Sequence, residues 1–144
     1  MTDRYFLDTN ILVYAHDSTA QQKSQRARQL ILEGLREECL VLSAQVLSEF
    51  FVTITQKIKA PLSAARAREE IELLSAADIV DIDADLVLDA VDLRIKQRLS
   101  FWDGLIIASA QRAQCHRVYS EDMQSGQRIG RLEILNPFLE HKGA

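Results

Sequence analysis

Cysteine is scarce: the 144 residues hold two, Cys39 and Cys115. Neither a disulfide framework nor a C-x-x-C metal site can be built from them, so both are expected to be reduced structural thiols. Long apolar runs are missing too. None approaches the roughly 20 residues needed to cross a bilayer, and the start M-T-D-R-Y lacks the basic and then apolar pattern of a signal segment. A cytoplasmic protein with no membrane partner is therefore expected. The three histidines, His16, His116 and His141, are scattered and make no ligand set. No serine has the His and Asp companions of a nucleophilic triad. Positive charge is not in excess either: 17 Lys and Arg against 21 Asp and Glu leave a net charge of −4. No overall field draws in nucleic acid, although local basic patches still can. There is no repeat, low-complexity tract or linker, so residues 1–144 read as one domain.

What remains is an alternation of short apolar runs with amphipathic stretches. Arg4–Asp8, Cys39–Leu42, Asp78–Ile82 and Arg117–Ser120 read as strands, with Leu132–Leu135 as a fifth. Helical spacing covers Gln22–Glu38, and Thr9 and Asn10 are expected to turn and cap a short helix through I-L-V-Y-A. A helix opened by Ser43 places Leu47, Phe50, Phe51, Ile54 and Ile58 on one face. Ser63 is expected to cap a helix running to Ala76, and Asp83 one whose Ala84, Val87, Leu88, Val91 and Ile95 form an apolar stripe. Asp85, Asp89 and Asp92 then fall on its solvated side. Ser100–Ala113 is apolar nearly all round, the mark of a buried helix. Strands alternating with helices predict an α/β fold: a central, mostly parallel sheet of about four to five strands flanked by helices in three layers.

That topology has a consequence for the acids. With crossover helices running against the strands, strand C-terminal ends and helix N-terminal ends share one edge, where such sheets bind ligands. Asp8 ends the first strand and Asp122 follows the fourth. Glu49 and Asp103 stand near the starts of their helices. Asp103 alone reads equally as part of a capping box with Ser100. Together the four carboxylates would repel one another unless a cation sat among them. Oxygen donors without His or Cys suit Mg²⁺ or Mn²⁺, which can activate a water against a phosphodiester. A structural or regulatory acidic pocket stays open as the other reading.

Four segments, L-D-T-N-I-L-V-Y-A (Leu7–Ala15), L-S-E-F-F (Leu47–Phe51), S-F-W-D-G-L-I-I-A-S-A (Ser100–Ala110) and Y-S-E-D-M (Tyr119–Met123), together resemble the PIN-domain nucleases. In particular they resemble the VapC-type toxins of bacterial toxin–antitoxin pairs, over essentially the whole chain. The resemblance implies a PIN-like fold with Asp8, Glu49, Asp103 and Asp122 as catalytic and metal-binding acids, supported by Asn10 and Ser120. It implies a Mg²⁺- or Mn²⁺-dependent endoribonuclease leaving 5′-phosphate and 3′-hydroxyl ends on an RNA substrate, a homodimer, and a cognate antitoxin protein. Gly104 departs from the commoner Ala and is expected to loosen the helix start by up to about 1 kcal/mol. Glu121 competes with Asp122 for the fourth position. A catalytically inactive PIN-like RNA- or protein-binding domain is one alternative. A phosphoacceptor regulatory domain is another, though the last strand leads into Asn136-Pro137 without the lysine it needs.

Overall fold

The computed structural model describes residues 3–139, so His141 lies outside the described residues. β1 (Tyr5–Leu7) leads into α1 (Thr9–Tyr14) and α2 (Gln21–Arg36), and β2 (Leu40–Ser43) into α3 (Ala44–Gln56) and α4 (Ala64–Leu74). β3 (Asp78–Val80) leads into α5 (Ala84–Gln97) and α6 (Phe101–Arg112), followed by β4 (Arg117–Tyr119), β5 (Arg128–Ile129) and β6 (Leu132–Leu135). The strands form one sheet in the order β3-β2-β1-β4-β6-β5, parallel except for β5 against β6.

This order dictates the layers. From β1 the chain steps outward to β2 and β3, then returns across the sheet to β4 on the other side of β1. Right-handed crossovers stepping in opposite directions put their helices on opposite faces. The contacts agree: α1 touches α2 and α3, α3 touches α4, and α5 touches α6. Phe6, Leu7, Val41, Leu42, Val118 and Ile134 are fully buried between the two helical layers.

Side-chain caps set most helix starts. Ser43, Ser63, Asp83 and Ser100 each accept a hydrogen bond from a backbone amide in the first turn of α3, α4, α5 and α6, satisfying amides that have no partner within the helix. At α1 the cap is Asp8, accepting from the Thr9 amide; Thr9 and Asn10 are helical residues rather than caps. β5 is the strand the sequence reading did not contain. It is two residues long and turns back through Gly130 at φ +61°, pairing Ile129 with Leu132. The signal is the short turn Gly130-Arg131, too local to stand out in a polar stretch.

The apolar stripe of α5 is also corrected. Leu86 and Ala90 are its buried residues, while Leu88 is 62%, Val91 39% and Ile95 72% exposed. The cause is the closeness of α6: a Cβ on Gly104 would lie 2.8 Å from the Ala90 carbonyl oxygen. A small-residue contact thus outcompetes the larger stripe for the inward face. Gly104 serves this approach, which gives it a packing role beyond the helix start. Cys39 and Cys115 are free and buried, and burial pushes the Cys115 thiol up to about 12, so both are unreactive at neutral pH. Among the described residues no helix is long and apolar enough to cross a membrane.

Gly104→Ala is expected to destabilise the protein. Overpacking against backbone costs roughly 1–3 kcal/mol and outweighs the gain of about 1 kcal/mol in helix propensity. A thermal or urea melt checks the sign.

Candidate functional site

The sheet changes direction between β1 and β4, and a cleft of about 780 Å³ opens beside that point. Asp8 reaches it from the end of β1, Glu49 from the second turn of α3, Asp103 from the first turn of α6 and Asp122 from the segment after β4. Thr9 and Asn10 line it too, as do Gln45, Lys57, Trp102, Asp17 and Glu121. Asp81, at the end of β3 where a phosphoacceptor would stand, is not among the lining residues.

Three of the four acids rest on hydrogen-bond donors, some of them shared. The Ser120 hydroxyl, itself fully buried, donates to Asp8 Oδ2 at 2.8 Å and the Thr9 amide donates to Asp8 Oδ1 at 2.7 Å. The Asn10 amide donates to Asp122 Oδ2 at 3.0 Å and to Asp8 Oδ2 at 3.3 Å, joining two acids 114 positions apart in the chain. Ser120 Oγ accepts from the Asp122 amide at 3.2 Å. The Thr9 hydroxyl donates to Glu49 Oε1 at 2.7 Å. Asn10 and Ser120 therefore stand beneath the acids as struts. Ser100 Oγ accepts from the Asp103 amide at 3.1 Å, so Ser100 caps α6 while the Asp103 carboxylate lines the cleft.

Two features of the site were missed from the sequence. Gln45, 6% exposed, donates to Glu49 Oε2 at 3.5 Å and to the Trp102 carbonyl at 3.3 Å, bridging α3 to the start of α6. Its Oε1 is a buried acceptor without a partner. A glutamine one turn ahead of Glu49 on the same face was the available hint. The other is the pairing of Glu121, whose carboxylate meets Tyr14 and Lys23. That places the Asp122 carboxylate, not that of Glu121, on the Asn10 side chain's amide group.

The charges are under strain. Asp8 is only 6% exposed; burial, opposed by its hydrogen bonds from Ser120 and Thr9 and reinforced by Asp103 and Glu49, pushes its carboxyl up to about 6. Burial also raises Asp103, against the Ser100 hydroxyl, with Asp122 and Glu49 adding to the rise. Among the described residues no three His, Cys, Asp or Glu side chains stand close enough to form a ready metal cage. Mg²⁺ does not require one, because it keeps most of its waters and takes one or two carboxylates directly. Hard oxygen donors and a buried carboxylate lacking a countercharge fit such an ion.

An α/β domain with carboxylates from four elements at its switch point defines a class of acidic-site folds. The chain belongs to the PIN domain family, whose model matches residues 5–128. Its fold is similar to that of VapC20 from Mycobacterium tuberculosis, described as a sarcin-ricin loop cleaving toxin: 18% identity, 82% of this chain and 89% of that one, TM-score 0.65. A toxin–antitoxin complex from Klebsiella pneumoniae gives 20% identity over 92% and 97% of the two chains, TM-score 0.67. VapBC2 from Rickettsia felis, bound to a fragment of its promoter, gives 20% over 90% and 96%, TM-score 0.62. No curated protein sequence matches significantly.

The shift of Asp8 gives a pH prediction. The folded carboxyl holds its proton more tightly than an unfolded one near 3.8, so its ionisation costs stability above about pH 6. That cost fades as pH falls toward 4. Asp8→Asn is expected to be more stable than the wild type by about 2 kcal/mol at pH 8, with the difference shrinking toward pH 5. Parallel melts across that range check it.

Proposed function

We propose that this chain is a Mg²⁺- or Mn²⁺-dependent endoribonuclease, the toxin of a VapC-type toxin–antitoxin pair acting in the cytoplasm. The supporting observation is that Asp8, Glu49, Asp103 and Asp122, from four separate elements, line one cleft at the switch point of a PIN domain. These four would hold the ion, one or two of them directly and the others through its waters. When bound, it would supply an activated water and offset charge developing on the phosphodiester. The chain's own part is orientation. Asn10 spans Asp8 and Asp122, Ser120 fixes Asp8 from below, and Thr9 and Gln45 fix Glu49. Trp102, 60% exposed at the rim, offers a face on which a base can stack, and Lys57 a countercharge for phosphate. Hydrolysis would leave a 5′-phosphate and a 3′-hydroxyl.

The toxin–antitoxin assemblies among the similar folds support an antitoxin partner. The exposed Leu88, Val91 and Ile95 of α5 support a homodimer. Asp85 and Asp89 lie in the N-terminal half of that helix, and Arg94 and Lys96 in its C-terminal half. Two copies packed antiparallel about a two-fold axis would bring acids against bases.

Purified protein should cut defined RNAs in Mg²⁺ or Mn²⁺ and stop in EDTA. Asp103→Asn should lower the rate at least about a hundredfold, by comparison with the effect of losing a supporting group. Undiminished metal-dependent cleavage by that variant would refute the assignment. Ile95→Glu should shift the protein from dimer to monomer in sedimentation while leaving its melting temperature near that of the wild type.

A further inference from the structure

Beside the acid cleft lies a second cluster that the metal reading does not use. Lys23, on the first turn of α2, places Nζ 2.5 Å from Glu121 Oε2. The Tyr14 hydroxyl, from the end of α1, donates to Glu121 Oε1 at 2.6 Å. The same ammonium sits 5.0 Å from the centre of the Tyr14 ring and 5.4 Å from that of Phe138, and the two rings meet edge to face. Both oxygens of Glu121 are thus engaged, and its carboxylate is committed to a cationic and aromatic seat. The Glu121 amide donates to Asn10 Oδ1 at 3.2 Å, while the Asn10 amide group holds Asp122 at 3.0 Å. One residue therefore ties the Lys23 seat to the strut beneath Asp8 and Asp122.

We propose that Lys23 is a positioning residue: by pairing with Glu121 it occupies that carboxylate at the edge of the acid cleft and fixes the Ser120–Met123 segment, so that Asp122 rather than Glu121 faces the cation. Two adjacent acids on a short loop would otherwise compete for the same place, and an untied Glu121 would add repulsion to a cleft already crowded with carboxylates. The seat draws its parts from α1, α2, the segment after β4 and the chain beyond β6, so it locks the loop to the rigid layers.

This inference rests on the metal-nuclease reading, and Mn²⁺ binding by calorimetry separates the two. Lys23→Met should bind Mn²⁺ about tenfold more weakly than the wild type, as loss of an outer-shell group does. Glu121→Ala should weaken binding similarly, and the double variant should be no worse than either single one. Lys23→Arg should restore near wild-type affinity. Melting temperatures report whether each variant is folded; the partly exposed Lys23 side chain can be truncated without opening the core. If Lys23 acted only through its charge, removing it would tighten Mn²⁺ binding while Glu121→Ala weakened it. Tighter or unchanged binding by Lys23→Met would therefore overturn the proposal and leave the nuclease reading standing. A wild-type protein that bound no Mn²⁺ would overturn both.

Discussion

Repulsion among carboxylates brought to one edge is the constraint around which the molecule is built. Four elements deliver an acid to the same cleft, and the protein steadies three of them with neutral donors: Ser120 and Thr9 for Asp8, Asn10 for Asp122, Thr9 and Gln45 for Glu49. Neutral donors orient a charge without cancelling it. The burial of Asp8 is therefore left uncompensated by any cation among the described residues, and its carboxyl is pushed up to about 6. An ion pair at Asp8 would have relieved that tension and filled the position a divalent ion needs.

The fold makes this concentration of charge possible because parallel strands end together. β1 and β4 are neighbours in the sheet but lie more than a hundred residues apart in the chain, and α1, which follows β1, and α6, which precedes β4, lie on opposite faces. The gap so formed is lined by chain ends rather than by continuous backbone, so side chains from α1, α3 and α6 can enter it. The close approach of α5 to α6 through Gly104 and Ala90 supports Asp103 from behind, since it fixes the turn of α6 that carries the acid.

Most of this frame was legible in the sequence, because hydrophobic runs, capping residues and topology are local or general rules. Asp8, Glu49, Asp103 and Asp122 could be placed on one edge without knowing any contact. The misreadings share a cause, which is competition decided in three dimensions. The α5 stripe Leu88-Val91-Ile95 has good helical spacing, yet Leu86 and Ala90 face inward because a glycine on another helix admits Ala90 more closely. β5 exists because β6 offers it an edge to pair with. Gln45 gains its place from the Trp102 carbonyl, 57 positions later in the chain. The choice between Glu121 and Asp122 could not be read from the pair itself. It turns on Lys23 and Tyr14, about a hundred residues earlier.

Glu121 and Asp122 show how the charge of the cleft is regulated. Its lining includes six acids, Asp8, Asp17, Glu49, Asp103, Glu121 and Asp122, and a single basic residue, Lys57. Such a surface repels a polyanion, and the repulsion grows in a cleft where water is partly excluded. On the nuclease reading proposed above, a phosphate would be met through a bound cation, which would reverse the local field. Too many free carboxylates would defeat that reversal, because the ion's charge would be spent on its own ligands. Lys23 cancels one of the six from outside the cleft, where the side chain adds no positive charge that would compete with a divalent ion for the remaining acids. On that reading, the residues that would attract the cation would also leave it enough charge to attract a substrate.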